Sequence, residues 1–188
     1  KKGFGRNDHI PPSKKIVLVS APGASSGKLK VCLSQLYNDR LRGIHSGYAK
    51  YETFPVWNLS TNHLVNIAYE MATADLYDRN IIDPFYQKAH GKIAINYNRD
   101  VDAFPVMSKM LKMIYGKEVY ASPTDMGINN VGFAIDDDYE VQKASMQEIE
   151  RRYQKIKKAY DNLEIHTKTF ERSLELLIRA RELFEKLK

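Results

Sequence analysis

The sequence predicts an α/β fold: a short sheet that begins with a strand, a P-loop-like turn and a helix, followed by a mainly α-helical region ending in two long helices. Three observations carry this reading. The β-branched run Lys15 to Ser20 leads into a loop of small residues and then an apolar repeat at helical spacing. Two further strand-like runs, Tyr48 to Phe54 and Lys92 to Tyr97, are separated by a helical stripe. After Asp136-Asp137-Asp138 two long helical patterns occupy the remainder.

Pro11-Pro12 set a polar leader apart from the first strand, which reads as buried. Beyond the loop, Leu29, Cys32, Leu33, Leu36 and Tyr37 form the apolar side of a helix, with Lys30, Ser34 and Asn38 opposite and Gly43 as its stop. Tyr48 to Phe54 alternates as a second strand and closes at Pro55. Leu64, Ile67, Ala68 and Met71 predict a helix from His63 to about Arg79, broken by "IIDPF" at Pro84. Asp75 falls on its apolar stripe, where an unpaired carboxylate costs several kcal/mol and so requires a partner.

Lys92 to Tyr97 is the third strand. The next helix is expected to start near Asp102, with Pro105 in its first turn, a core face of Phe104, Met107, Met110, Leu111 and Ile114, and Gly116 as its end. Tyr120 to Ile135 reads as a long connection of a functional or mobile kind. Asp137 and Glu140 are placed as a capping box for a helix to about Leu163. The last helix, from Thr167, carries Leu174, Leu177, Ile178, Phe184 and Leu187 on a broad apolar face left without a packing partner. The implied division is 1–62 (α/β, with the Gly-rich loop), 63–136 (helical and mixed, one strand) and 137–188 (a helical pair).

At 188 residues, 43% hydrophobic and 28% charged, the chain is globular rather than disordered. No apolar run approaches the ~18 residues that cross a bilayer, and no signal-peptide core precedes the first strand, so a cytoplasmic protein without a membrane partner is expected. The single cysteine, Cys32, fits a reducing compartment and lies on a packing stripe. The net charge of +6 is uneven: residues 1–50 hold 10 Lys/Arg against 2 Asp/Glu, residues 51–150 hold 8 against 15, and residues 151–188 hold 11 against 6. A basic first segment suits a small anionic ligand. Nucleic acid is disfavoured, since no basic stripe is interleaved with aromatics. The five histidines lack metal-ligand spacing, and no nucleophilic triad can be assembled.

The loop Gly23, Ala24, Ser25, Ser26, Gly27, Lys28 stands between strand and helix, where backbone N–H groups and a lysine hold phosphate. Its spacing departs from G-x-x-x-x-G-K-[ST]: Gly23 and Gly27 enclose three residues, and Leu29 replaces the hydroxyl that would hold magnesium. A standard magnesium-dependent NTPase is therefore not expected. An anion site and a structural turn both remain open. The candidate ligand-binding residues are Gly23, Ser25, Ser26, Gly27, Lys28, Arg99 and Asp125, and the candidate ligand is ATP or another phosphate-containing molecule. Arg99 follows the third strand, where it could clamp an anion or pair with Asp100. Asp125 sits on a Gly-containing loop that also reads as an Asx turn.

The stretches "VLVSAPGASSGKLKVCLSQLYNDRLRGIHSGYAKYETFPVWNL", "NIAYEMATADLYDRNIIDPFYQKAHGK", "INYNRDVDAFPV" and "SPTDMGINNVGF" together resemble the bacterial family called domain of unknown function eighteen-forty-six. The likeness runs from about Gly3 to Tyr153. Members are longer, which implies that this chain corresponds to a central portion. The family's loop has Pro and Gly where this chain has Ala24 and Ser25, and it shares the short spacing and the missing hydroxyl after Lys28. Some members are labelled ATP-dependent proteases, an activity these residues do not support. The resemblance implies a shared fold and ligand site more than an activity. The residues themselves suggest a phosphate- or nucleotide-binding domain of a larger enzyme, or a non-catalytic module whose C-terminal helices form a homo-oligomer.

Overall fold

The computed structural model describes residues 3–23 and 26–187. They fall into two units: one takes the chain up to Lys50 together with Pro105–Tyr120, the other Tyr51–Phe104 together with the chain from Ala121 onward.

In the first unit, α1 (Lys28–Leu41) starts after Gly27, whose φ of 93° is a left-handed conformation that glycine adopts without strain. It closes at Arg42 and Gly43, whose N–H groups bond Asp39 O at 2.9 Å and Arg40 O at 3.1 Å. Leu33 and Leu36 are buried as expected, but so are Ser34, Asn38 and Asp39. Ser34 and Asn38 on the polar side of α1 do not face solvent because the leader folds onto them: Asn7 Nδ2 donates to Ser34 Oγ at 2.5 Å, Asn38 Nδ2 to Asn7 O at 3.2 Å, and Gln35 and Ile10 exchange two bonds. His9 Nε2 lies 2.7 Å from Asp39. These bonds satisfy groups whose burial would otherwise be costly.

The expected strand Lys15–Ser20 is absent. Ile16, Val17 and Leu18 are 87%, 62% and 83% exposed, and among the described residues no strand pairs with them. A strand is held by its neighbour's ladder, and an apolar, β-branched run does not make one alone.

The second unit is built on α2 (Leu64–Ala72), α5 (Asp138–Asp161) and α6 (Thr167–Glu185), whose core includes Leu64, Ile67, Met71, Met146, Ile149, Leu176, Leu177 and Ala180. The apolar face of α6 therefore has its packing partner, with Leu177 buried and Phe184 against the cluster. Leu174 and Ile178 keep part of their exposure. The helix expected to reach Arg79 ends at Ala72, where the chain tightens into a 3-10 turn, Ala74–Leu76, and Tyr77 turns left-handed. Asp75 is consequently exposed and needs no partner.

The stretch expected only to break that helix is structured. Strand β2 (Asn80–Ile82) pairs antiparallel with β3 (Ile95–Tyr97), with Ile81 opposite Asn96, and α3 (Pro84–His90) runs between them. The run Tyr48–Phe54 contracts to β1 (Lys50–Tyr51), matched with β4 (Gly127–Ile128) beside a 3.0 Å bond from Glu52 N–H to Ile128 O. Helix α4 (Asn98–Tyr115) begins four residues before Asp102, which leaves Pro105 inside it. Phe104, Met107, Leu111 and Ile114 are buried as expected, Met110 only in part. Asp137 caps α5 through a 3.0 Å bond from Glu140 N–H, while Glu140 turns its carboxylate to Lys143 and does not complete the box.

Candidate anion site

The loop before α1 closes on itself. Ser26 Oγ donates to Gly23 O at 2.5 Å, and Lys28 Nζ donates to the same carbonyl at 2.8 Å and reaches Ser26 Oγ at 3.2 Å. Among the described residues the hydrogen-bond partners of this ammonium are neutral, so no counter-charge meets it there. The first turn of α1 contains no acidic residue and no side-chain cap, so it offers N–H groups and positive helix-end potential without a built-in counter-charge. Ser25 and Ala24 lie outside the described residues. Gly23, Ser26, Gly27 and Lys28 are thus together at one helix end, without the preceding strand that the P-loop-like reading required.

Arg99 and Asp125 belong to the second unit, and each is engaged there. Arg99 follows β3 and turns its fork to Asp78 at 2.5 and 2.8 Å, rather than to Asp100. The Asp78 side chain is 0% exposed, and its hydrogen bonds hold the guanidinium pKa above its usual value. Tyr69 also donates to Asp78, at 3.4 Å, and burial raises the hydroxyl pKa of both Tyr69 and Tyr97.

Asp125 takes His90 Nε2 at 2.9 and 3.1 Å and the Ala121 N–H at 3.2 Å, while its own N–H donates to Ser122 Oγ at 3.0 Å. Periodicity missed the centre behind this loop. Asp83 caps α3 by accepting from Phe85 and Tyr86 N–H at 2.9 and 3.0 Å, and its second oxygen accepts from Thr124 Oγ1 at 2.6 Å. Asn96 Nδ2 donates to the same Thr124 hydroxyl at 3.0 Å. The Asp83-Pro84 pair carries the local signal, since aspartate at the cap and proline at the first helical position start helices.

Among the described residues no group of three or more His, Cys, Asp or Glu could hold a metal ion, and no helix is long and apolar enough to cross a membrane.

Residues 1–182 match the family model described as "Domain of unknown function DUF1846, N-terminal". The match extends past Tyr153 and is to an N-terminal model, which replaces the expected central portion. A UPF0371 protein of Streptococcus thermophilus is 59% identical over 152 residues, covering 81% of this chain and 31% of the relative. A UPF0371 protein of Streptococcus pneumoniae is 58% identical over the same length, with the same shares covered. The chain thus spans about a third of the length of the curated relatives it matches.

Proposed function

The chain belongs to the DUF1846 family, and from that premise we propose that it contributes a phosphate-binding site, built at the start of α1, to a larger cytoplasmic protein. The observation that carries this reading is the uncompensated charge of Lys28 over an uncapped helix end. Gly27 brings the backbone round in a conformation that leaves the first-turn N–H groups at the loop, and Lys30 adds a second cation on the same turn. A phosphate would exchange the neutral contacts of Lys28 for charge-assisted ones, which are shorter and roughly twice as strong.

Arg99 and Asp125 belong to the second unit, where each has its own partner. The carboxylate of Asp125 repels an anion, and Arg99 already faces Asp78. ATP and inorganic phosphate are the first ligands to test. The lack of a hydroxyl after Lys28 predicts that magnesium does not strengthen binding.

Thermal unfolding of the chain with and without phosphate, ATP and magnesium tests the proposal, because a ligand selective for the folded state must raise its apparent stability. The midpoint is expected to rise with phosphate or ATP and to stop responding in Lys28→Ala. A response that survives in Lys28→Ala would remove the site from this loop.

A further inference from the structure

The first unit holds a cavity of about 420 Å³ at the other end of α1, within the size range of small-molecule sites. Leu36 and Arg40 line it from α1, Ile44 and His45 from the turn that follows, and Tyr115 and Lys117 from the end of α4 and beyond. Both ends of the wall around Ile44 are fixed: Ile44 N–H bonds Asp39 O at 2.9 Å, and Tyr120 donates its hydroxyl to Tyr48 O at 2.5 Å. The cavity is therefore framed by one bond local to the end of α1 and one that joins segments far apart in sequence.

Its charge is one-sided. Arg40, His45 and Lys117 line it, and no aspartate or glutamate does. The carboxylates next to these cations in sequence are engaged elsewhere, Asp39 with His9 at 2.7 Å and Glu118 with Lys112 at 2.9 Å. The Tyr115 hydroxyl is buried with no hydrogen-bond partner among the described residues, and burial lifts its pKa to about 12, so it remains a donor. A buried hydroxyl left unpaired is costly, and a ligand that accepts from it relieves that cost.

We propose that this cavity binds a compact organic dianion, its charged group held by Arg40 and Lys117 with donors from His45 and Tyr115, and its carbon body against Leu36 and Ile44. Two permanent cations match two negative charges, whether these come from a phosphate monoester or from a pair of carboxylates. The site is separate from the loop at Lys28: Arg40 lies twelve helical steps beyond Lys28, about 18 Å at the helical rise.

Isothermal titration of the 188-residue chain with AMP, glucose 6-phosphate, succinate and citrate, beside neutral adenosine and glucose, tests this. At least one dianion is expected to bind with a dissociation constant below about 1 mM while its neutral counterpart does not, and the responding arm identifies phosphate or carboxylate as the charged group. Removing one charge-assisted contact, in Arg40→Gln or Lys117→Gln, is expected to weaken binding about tenfold or more. Lys28→Ala is expected to leave it unchanged. Arg40 and Lys117 are exposed, so these variants should fold, as circular dichroism would verify; Tyr115→Phe, expected to weaken binding several-fold, is a further variant that leaves the cations intact. The proposal is overturned if no dianion binds, if adenosine or glucose binds as well as its phosphate, or if affinity survives Arg40→Gln and Lys117→Gln.

Discussion

Arg172 is 9% exposed and donates to Glu70, itself 2% exposed, while its other terminal nitrogen reaches Glu175 at 2.9 Å. Burial pushes the Glu70 carboxyl above its ordinary pKa, against the pull of the Asn80 N–H at 3.0 Å and of the guanidinium. Arg172→Leu strands this carboxyl, and the expected loss is about 3–5 kcal/mol of unfolding free energy, read from denaturant titration. Adding Glu70→Leu should restore part of that stability, because the lone charge then disappears. Additive losses in the double variant would show that the pair is not coupled. Sequence reading found neither partner: they lie 102 residues apart, and a glutamate beside an apolar stripe looks like any solvated residue. Ser34 and Asn38 escaped for the same reason, since what buries them is Asn7, 27 and 31 positions away.

Helices were legible where their signals are local. The stripes of α5 and α6, the Asp137 cap and the core face of α4 depend on residues within a few turns. The segment Lys15–Ser20 was misread because composition indicates a taste for strand but cannot supply the neighbour that makes one. The start expected near Asp102 comes four residues too late, because α4 opens at Asn98, whose side chain accepts from the Arg79 N–H at 2.8 Å.

Pro105 lies inside α4 and cannot donate to the carbonyl four residues before it, so Pro105→Ala should raise the unfolding free energy by about 1–3 kcal/mol; an unchanged or lower midpoint would contradict this. On α5, Arg151 and Arg152 bond Glu148 at 2.7 and 2.6 Å and hold its pKa down to about 2, well below the usual carboxylate range. A depressed carboxylate stabilises the fold above its unfolded pKa, and that contribution is lost as pH falls through the folded value. The stability difference between the chain and Glu148→Gln should hold steady above about pH 5 and shrink toward pH 2, with solvent screening keeping it small. A difference that does not change with pH would refute the assignment.

At the scale of the molecule, the candidate residues divide between the two units. The first holds Gly23, Ser26, Gly27 and Lys28, and the second holds Arg99 and Asp125 with their own partners. The sequence made the loop visible because glycines and a lysine before a helix form a local pattern. It could not reveal that Arg99 belongs to Asp78, because that pairing follows from the turn linking α2 to β2 and from the entry into α4. The family's N-terminal model covers residues 1–182, and the chain spans about a third of the relatives' length.

The measurement closest to the central claim is a phosphate titration followed by the backbone amide resonances of the isotope-labelled chain. The account predicts saturable shifts at Ser26, Gly27, Lys28 and Leu29 that vanish in Lys28→Ala. Resonances that stay in place at those four residues while phosphate reaches tens of millimolar, roughly the weak limit of specific binding, would contradict it.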